Sequence, residues 1–349
     1  MDSKMLSEKP VGVVGAGSFG TAIANILAEK SKVLLYARNE SVVDHIEKKG
    51  ISSGQLLHEN VSGSNELEEI ASKCDIIFPI VPSSNFRSLI KDFSEYLHPY
   101  HILIHGTKGL DVSIQDETQE STKLNRNQVR TMSEIIQDES LVVRVGCLAG
   151  PNLARELADK QPAATVVASH FDEVIQAGIR LLRNDRFQVY GSQDLIGVEL
   201  CGVLKNIIAI ASGALSGMGY GENARALLIS RGMVEMIYLG RALGGNTEAF
   251  IGLAGVGDLV ATCSSTLSRN FTVGYRLAQG ENLQQITDSM DETAEGINTI
   301  RIAKKLTNFY KVRAPILEML HKVLFENLTV EEALQYLMKY PLNVDIDFL

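Results

Sequence analysis

The chain has 349 residues, of which 45% are hydrophobic and 21% charged, and its formal net charge is −9. That length exceeds what a single core usually supports, so we expect two domains. The acidic balance disfavours a general nucleic-acid partner or an anionic membrane surface. Four cysteines without a CxxC pair are typical of reduced thiols, and residues 1–6 lack the apolar segment of a signal peptide. We therefore expect a soluble, cytoplasmic protein.

The first predicted element is a β-branched strand that leads into Gly15-Ala16-Gly17-Ser18-Phe19-Gly20 and then into an Ala-rich helix. In this order Gly15 permits a tight turn, Gly17 lets backbone amides approach a pyrophosphate, and Gly20 lets helix and strand pack closely. The helix N-terminus adds unpaired N–H groups and a positive dipole end. A tight turn without function is the alternative. The strand before and the helix after favour a dinucleotide-binding loop.

Strand and helix patterns alternate through the first half of the chain. Strands are predicted at 32–37, 75–81, 101–105, 141–145, 164–169 and 187–190, and helices at 41–49 and 85–97. This alternation predicts a parallel, doubly wound sheet with right-handed crossovers. A polar segment at 111–140 interrupts the pattern, and we expect a solvated excursion there, followed by a surface helix.

Strand patterns end near residue 192, and long helical patterns dominate from there on. We therefore predict an α/β chain with a Rossmann-like dinucleotide-binding domain at 1–192 and an all-helical, substrate-binding and catalytic domain at 193–349. The functional site is expected in the cleft between them. The apolar stretch 195–220 is long enough to span a membrane. Because Glu199, Lys205 and Asn206 interrupt it, we predict a buried core helix instead.

Lys205 is the second informative feature, because it lies in the middle of this apolar helix. Small residues recur around it at helical spacing, among them Gly202, Ala209 and Gly213, and we interpret that stripe as a close helix–helix contact. A lysine in such surroundings either snorkels to the surface or is held for a purpose. Burial would lower its pKa toward the range that is useful for proton transfer. We favour the functional interpretation.

Three further polar features could complete a site. Lys108 follows the C-terminal end of a predicted strand, where doubly wound sheets bind ligands, although it could be a surface lysine. Asp258 ends a glycine-rich turn and could simply cap a helix. Ser268-Arg269-Asn270 begins an amphipathic helix and suits a phosphate group, although an ordinary capped start is the alternative. No histidine spacing such as HExxH is present, so no metal site is predicted.

Taken together, the motifs resemble those of NAD(P)-dependent glycerol-3-phosphate dehydrogenases of the soluble bacterial type. The resemblance covers nearly the whole chain, through GAGSFGTAIA, VPSSNFR, GTKGL, AGPNLARELAD, VELCGVLKNIIAIASG, GLAGVGDLVATC and SRNFTVG in this order. It implies reversible hydride transfer between dihydroxyacetone phosphate and sn-glycerol 3-phosphate, with NAD or NADP as cofactor. It also implies a supply of glycerol 3-phosphate for phospholipid synthesis, and a homodimer.

The resemblance assigns a role to each matching residue. Lys205 is the implied catalytic acid/base, assisted by Lys108 and Asp258. The implied substrate-binding residues are Lys108, Gly150, Asn152, Lys205, Asn206, Asp258, Ser268, Arg269 and Asn270. The implied cofactor-binding residues are Gly15, Gly17, Ser18, Phe19, Gly20, Arg38, Lys108, Ala154, Arg269 and Glu295. The chain departs from the bacterial pattern at Asn152, where those enzymes usually carry Ser or Thr, and its 111–140 segment is longer than usual.

Two other functions deserve comparison. A β-hydroxyacid dehydrogenase shares the glycine-rich loop and a helical lysine beside an asparagine, but the SRN and GxGD motifs favour a phosphorylated substrate. A non-catalytic NAD(P)-sensing module would need the loop but not Lys205, Lys108 and Asp258 together. Cofactor preference is open, because Arg38 ends the second predicted strand, where NAD-specific folds usually place an acid. We expect NADPH to be used at least as readily as NADH.

Overall fold

The computed structural model describes residues 9–112, 124–290 and 294–341. It divides into two compact units, which we call the sheet unit and the helical unit. The sheet unit contains the described residues up to Thr107 together with Met132–Leu195. The helical unit contains the described residues of Lys108–Thr131 and those from Ile196 onward.

The sheet unit is built on an eight-stranded sheet. In chain order its strands and those of a small hairpin are β1 (Val11–Val14), β2 (Val33–Tyr36), β3 (Ile51–Ser52), β4 (Gln55–Leu56), β5 (Val61–Ser64), β6 (Ile76–Pro79) and β7 (Ile102–His105). The helical unit contributes a separate pair, β8 (Asp111–Val112) and β9 (Val129–Arg130), and the sheet unit continues with β10 (Arg144–Ala149), β11 (Ala163–Ser169) and β12 (Phe187–Ser192). The large sheet has the order β12-β11-β10-β7-β6-β1-β2-β5, and β3 pairs with β4.

Helices cover both faces of this sheet, because its central strands are apolar on both sides. The helices are α1 (Ser18–Ala28), α2 (Glu40–Lys49), α3 (Leu67–Lys73), α4 (Ser83–Ser94), α5 (Met132–Glu139), α6 (Ala154–Ala158) and α7 (Asp172–Leu182). Ile23 of α1 and Leu181 of α7 belong to one buried cluster, and Phe86 of α4 and Ile135 of α5 belong to another. The predicted α/β, doubly wound architecture is confirmed.

Several local predictions were wrong. The strand expected at 141–145 lies at Arg144–Ala149, because Leu141 and Val143 are exposed and the buried apolar run continues to Ala149. β11 runs antiparallel to β10. A parallel β11 would need a crossover helix that carries the chain back to the end of the sheet where β10 begins. The only helix between the two strands is the five-residue α6, which is too short for that.

The sequence analysis also missed β5 and the β3–β4 hairpin. The helix expected at the end of the 111–140 segment is present as α5. Its residues Met132, Ile135 and Ile136 are buried, whereas Gln137 and Asp138 are exposed. The part of that expectation concerning residues 113–123 lies outside the described residues.

The helical unit is organised around one long helix, α8 (Leu195–Gly217). The other helices are α9 (Glu222–Ala242), α10 (Thr247–Ile251), α11 (Asp258–Ser264), α12 (Arg269–Ala278), α13 (Leu283–Asp288), α14 (Glu295–Tyr310), α15 (Pro315–Phe325) and α16 (Val330–Met338). Among the described helices α8 alone is long and apolar enough to cross a membrane, and 94% of that stretch is buried inside the protein. Such burial is what the sequence predicted for a core helix.

The stripe of small residues on α8 is a helix–helix contact, as predicted. A Cβ atom built on Gly213 would lie 1.9 Å from the carbonyl oxygen of Phe271, and one built on Gly274 would lie 1.8 Å from that of Ile210. Only glycine permits two backbones to approach this closely. The contact holds α12 against the second half of α8, which follows Lys205 along the helix.

Candidate active site

A buried cluster of two lysines and one aspartate lies in the helical unit. The Lys205 ammonium is 2.6 Å from Asp258 Oδ1, and the Lys108 ammonium is 2.7 Å from Asp258 Oδ2. Lys205 and Asp258 are buried, whereas the Lys108 side chain keeps 21% of its surface exposed. One carboxylate therefore bridges two ammonium groups, and the structure brings together all three residues predicted to be catalytic.

The local sequence explains why these side chains meet. Gly202 lies one turn before Lys205 on α8, and a Cβ atom there would sit 3.3 Å from Lys108 Cγ, so its absence leaves room for the Lys108 stem. Asp258 follows a short π-helical segment, Leu253–Gly257, and begins α11. Gly257 occupies the N-cap position, so the capping role considered for Asp258 was wrong. Its carboxylate instead binds the two lysines.

Thr262 completes the cluster, and the sequence analysis missed it. Its hydroxyl oxygen is 2.5 Å from Lys205 Nζ and 3.2 Å from Asp258 Oδ1. The four-residue spacing from Asp258 places both side chains on one face of α11. That spacing, Asp-x-x-x-Thr, was the available signal.

The electrostatics of the cluster suit proton transfer. Burial lowers the pKa of Lys205, Asp258 raises it and the positive charge of Lys108 lowers it, and the net result is a pKa of about 8. For Asp258, burial alone would raise the pKa, but Lys108 and Lys205 outweigh it and the pKa lies below its usual value. Asp258 is therefore ionised at neutral pH, whereas Lys205 gains or loses its proton near neutral pH.

Residues predicted to bind phosphate lie at the start of α12. Ser268 caps this helix by accepting a hydrogen bond from the Phe271 N–H at 3.3 Å. Asn270 is buried, and its side-chain oxygen accepts a bond from the Gly296 N–H at 2.9 Å. Arg269 lies between them and is exposed. A helix N-terminus with an exposed guanidinium provides the donors that an anionic group requires.

Asn206 and Glu295 belong to the same region of the helical unit. Asn206 follows Lys205 and is buried, and Glu295 is the first residue of α14. A Cβ atom on Gly296 would lie 3.0 Å from the Asn206 carbonyl oxygen and 2.6 Å from Asn270 Oδ1. Gly296 thus allows the starts of α12 and α14 to approach the part of α8 that carries Lys205 and Asn206.

The glycine-rich loop of the sheet unit fits a dinucleotide pyrophosphate. Gly15 has φ +124°, and a Cβ atom there would lie 2.1 Å from the Ile80 carbonyl oxygen. A Cβ atom on Gly20 would lie 1.9 Å from the Gly15 carbonyl oxygen, so α1 packs directly against the turn. A Cβ atom on Gly17 would meet nothing within 4 Å. The backbone thus requires glycine at Gly15 and Gly20, whereas Gly17 leaves the backbone accessible to a ligand, as predicted. Ser18 and Phe19 form the first turn of α1.

The remaining predicted residues also lie in the sheet unit. Arg38 is exposed two residues beyond β2. Gly150 follows β10 with φ +157°, and the side-chain amide of Asn152 lies 2.9 Å from Thr165 Oγ1. Ala154 begins α6. Gly150, Asn152 and Ala154 therefore lie in the short segment that leads from β10 into α6.

A dinucleotide loop on a doubly wound sheet, together with a buried lysine of lowered pKa, defines an NAD(P)-dependent oxidoreductase. The family models for the N-terminus and C-terminus of NAD-dependent glycerol-3-phosphate dehydrogenase match residues 10–175 and 194–335. The chain belongs to the NAD-dependent glycerol-3-phosphate dehydrogenase family.

Individual relatives agree with this assignment. Glycerol-3-phosphate dehydrogenase [NAD(P)+] of Pseudomonas paraeruginosa is 38% identical over 350 residues, which cover 99% of this chain and 98% of that protein. The crystal structure of glycerol-3-phosphate dehydrogenase from Coxiella burnetii has a TM-score of 0.85 and 32% identity, covering 95% of this chain and 99% of that one. The enzyme from Saccharomyces cerevisiae, at 23% identity, shares the fold, with a TM-score of 0.80 over 94% of this chain and 99% of that one. The resemblance inferred from the sequence and the requirement for NAD or NADP are confirmed.

Proposed function

We propose that the protein reversibly reduces dihydroxyacetone phosphate to sn-glycerol 3-phosphate and so supplies a precursor for phospholipid synthesis. The observation that carries this proposal is the buried Lys205–Asp258–Lys108 cluster, in a chain of this family. Reduction of a ketone requires a hydride at carbon and a proton at oxygen. The nicotinamide supplies the hydride when the cofactor is bound, so the protein must supply the proton.

Lys205 is the proposed proton donor. Its ammonium gives a proton from Nζ to the carbonyl oxygen, and in the oxidative direction the neutral amine takes the proton back from the hydroxyl. Asp258 orients Lys205 and stays ionised, while Thr262 accepts from the same ammonium. Lys108 supplies a second positive charge that polarises the carbonyl as negative charge develops on its oxygen.

The phosphate of the substrate is assigned to the start of α12. Arg269, Ser268 and Asn270 would hold it there, and its binding energy would align the carbonyl with Lys205. We assign further substrate contacts to Asn206, Gly150 and Asn152.

The proposed cofactor contacts follow the family pattern. They are Gly15, Gly17, Ser18, Phe19, Gly20, Arg38, Lys108, Ala154, Arg269 and Glu295. In the same proposal, residues 1–192 form the dinucleotide-binding domain, except that the described residues of Lys108–Thr131 belong to the helical unit. Residues 193–349 form the substrate-binding domain, and the enzyme works as a cytoplasmic homodimer.

Substrate comparison tests this function against the β-hydroxyacid dehydrogenase alternative. The purified protein is assayed with NADH and with NADPH against dihydroxyacetone phosphate, unphosphorylated dihydroxyacetone and a β-keto acid. We expect kcat/KM for dihydroxyacetone phosphate to exceed the other two values by at least 100-fold, because a site built for a charged group loses several kcal/mol, on the order of 3 or more, without it. A higher kcat/KM for the β-keto acid would refute the proposal.

A further inference from the structure

The β3–β4 hairpin lies against the glycine-rich loop and holds two of its carbonyl groups. Ser52 Oγ and Ser53 Oγ both donate hydrogen bonds to the Ala16 carbonyl oxygen, at 3.2 and 3.1 Å. The Gln55 side-chain amide donates to the Ser18 carbonyl oxygen at 2.8 Å. Three side chains of one hairpin therefore fix two peptide groups of the loop.

Peptide geometry gives these contacts a consequence for anion binding. In a planar trans peptide the carbonyl and the N–H of the next residue point in opposite directions. When the Ala16 carbonyl is held toward the hairpin, the Gly17 N–H is directed to the other side. The Ser18 carbonyl fixes the Phe19 N–H in the same way. Backbone amides at a helix start are the groups that bind a phosphate, and the space beside Gly17 is open.

The hairpin is anchored to α1 independently of the loop. The Asn25 side chain donates to the Leu56 carbonyl oxygen at 3.0 Å and accepts from the His58 N–H at 2.9 Å. Asn60 donates to the Ala28 carbonyl oxygen at the far end of the same helix, at 2.9 Å. Ser52 itself is buried, and its hydroxyl lies 2.9 Å from that of Thr21. The hairpin can therefore support the loop from a fixed position.

We propose that the β3–β4 hairpin is a positioning element for the cofactor: Ser52, Ser53 and Gln55 orient the loop amides toward the pyrophosphate and thereby set the affinity for NAD(P)H. The hairpin residues act through the loop backbone, and the proposal requires no direct contact between them and the cofactor. It rests on the NAD(P) requirement of the family and is independent of the substrate.

Ser53→Gly separates positioning from stability. Ser53 has φ 45°, a left-handed conformation that glycine adopts without the strain of a side chain. The substitution removes the hydroxyl donor and relieves strain at the same time. Gln55→Met keeps the side-chain length and removes the other donor, and Ser52→Ala removes the third. Asn60→Ala is the matched control, because it cuts a bond between the same segment and α1 without touching the loop.

The dissociation constants of NADH and NADPH are measured by fluorescence titration, together with the melting temperature and kcat at saturating cofactor. We expect Ser53→Gly and Gln55→Met each to weaken cofactor binding by roughly 2- to 10-fold, the usual effect of one hydrogen bond. We expect kcat to stay within twofold of wild type and the melting temperature of Ser53→Gly not to fall. Asn60→Ala should lower the melting temperature and leave cofactor affinity unchanged.

Cofactor affinities within twofold of wild type in both Ser53→Gly and Gln55→Met would overturn the proposal. An equal loss of affinity in Asn60→Ala would also overturn it, because any weakening of the segment would then have the same effect. If Ser52→Ala does not fold, the other two variants still decide the question.

Discussion

Asp258→Asn should move the pH dependence of catalysis. Reduction requires the Lys205 ammonium and oxidation requires the neutral amine, and the pKa of Lys205 is about 8. The rate of reduction should therefore fall as the pH rises through about 8, and the rate of oxidation should rise. Asp258 opposes the lowering of this pKa. Without its charge the amine loses its proton more easily, so both midpoints should shift to lower pH.

The geometry gives the size of the shift. Two unit charges about 4 Å apart interact by ~4 kcal/mol at an effective dielectric constant near 20, which corresponds to ~3 pH units, and the 2.6 Å contact between Lys205 and Asp258 makes this a lower bound for loss of the charge. Asparagine still accepts a hydrogen bond from the ammonium, so we expect a shift on the order of two pH units. At about pH 7.5, roughly three quarters of Lys205 is charged in the wild type. After such a shift only a few per cent remains charged, so reduction should slow roughly 20-fold from protonation alone.

The measurement is a pH profile of single-turnover reduction and oxidation, followed by nicotinamide absorbance, so that product release does not hide the chemical step. Glu235→Gln is the necessary control. Burial raises the pKa of Glu235 to about 8, so this carboxyl titrates in the same range, although it binds the Ile316 and Leu317 amides instead. Glu235→Gln should leave the midpoints in place. Unchanged midpoints in Asp258→Asn, or profiles that rise together in both directions, would refute the reasoning.

Three further predictions concern single residues. Lys205→Ala should lower kcat by ~10²–10⁴-fold with cofactor affinity nearly intact by fluorescence titration; a variant with half the wild-type kcat would remove Lys205 from the mechanism. Arg269→Ala should raise KM for dihydroxyacetone phosphate by roughly 10- to 100-fold, the loss of a charge-assisted bond. Turnover of unphosphorylated dihydroxyacetone should stay the same, and equal losses on both substrates would assign Arg269 to the cofactor or the fold. Arg38→Asp should weaken NADPH binding more than NADH binding, because an arginine can pair with a 2′-phosphate and an aspartate repels it. An unchanged ratio of the two dissociation constants would contradict that assignment.

The sequence predicted those parts of the fold whose signal is local. The loop from Gly15 to Gly20 could be recognised because its backbone requires glycine at two positions: Gly15 has a positive φ, and Gly20 makes a close contact with the turn. The core helix α8 was predictable from its length and composition. The direction of β11 was not, because strand direction depends on how the connection crosses the sheet. The residue types of Leu141 and Val143 favour a strand, yet both side chains are exposed. Burial depends on the tertiary structure, so the sequence alone did not show that the strand begins later.

In the candidate site, too, the sequence predicted the features with a local signal and missed those that depend on tertiary contacts. The sequence marked Lys108, Lys205 and Asp258 separately, but nothing in it stated that one carboxylate binds both ammonium groups. Thr262 was missed because a threonine inside a helix usually needs no special explanation. The hairpin residues Ser52 and Gln55 were missed because their partners are carbonyl groups more than thirty positions away. Side-chain to backbone contacts of this range leave no periodic pattern.

The charge of the cluster connects substrate binding with proton transfer. Two ammonium groups and one carboxylate carry a net charge of about +1 when Lys205 is protonated, inside a chain whose formal net charge is −9. Lys108 disfavours the charged form of Lys205, so the free enzyme holds this proton weakly. An anionic substrate reduces that repulsion and favours the ammonium. Binding of a phosphorylated ketone would therefore raise the fraction of Lys205 that carries the proton its reduction requires, whereas a neutral ketone would leave that fraction unchanged.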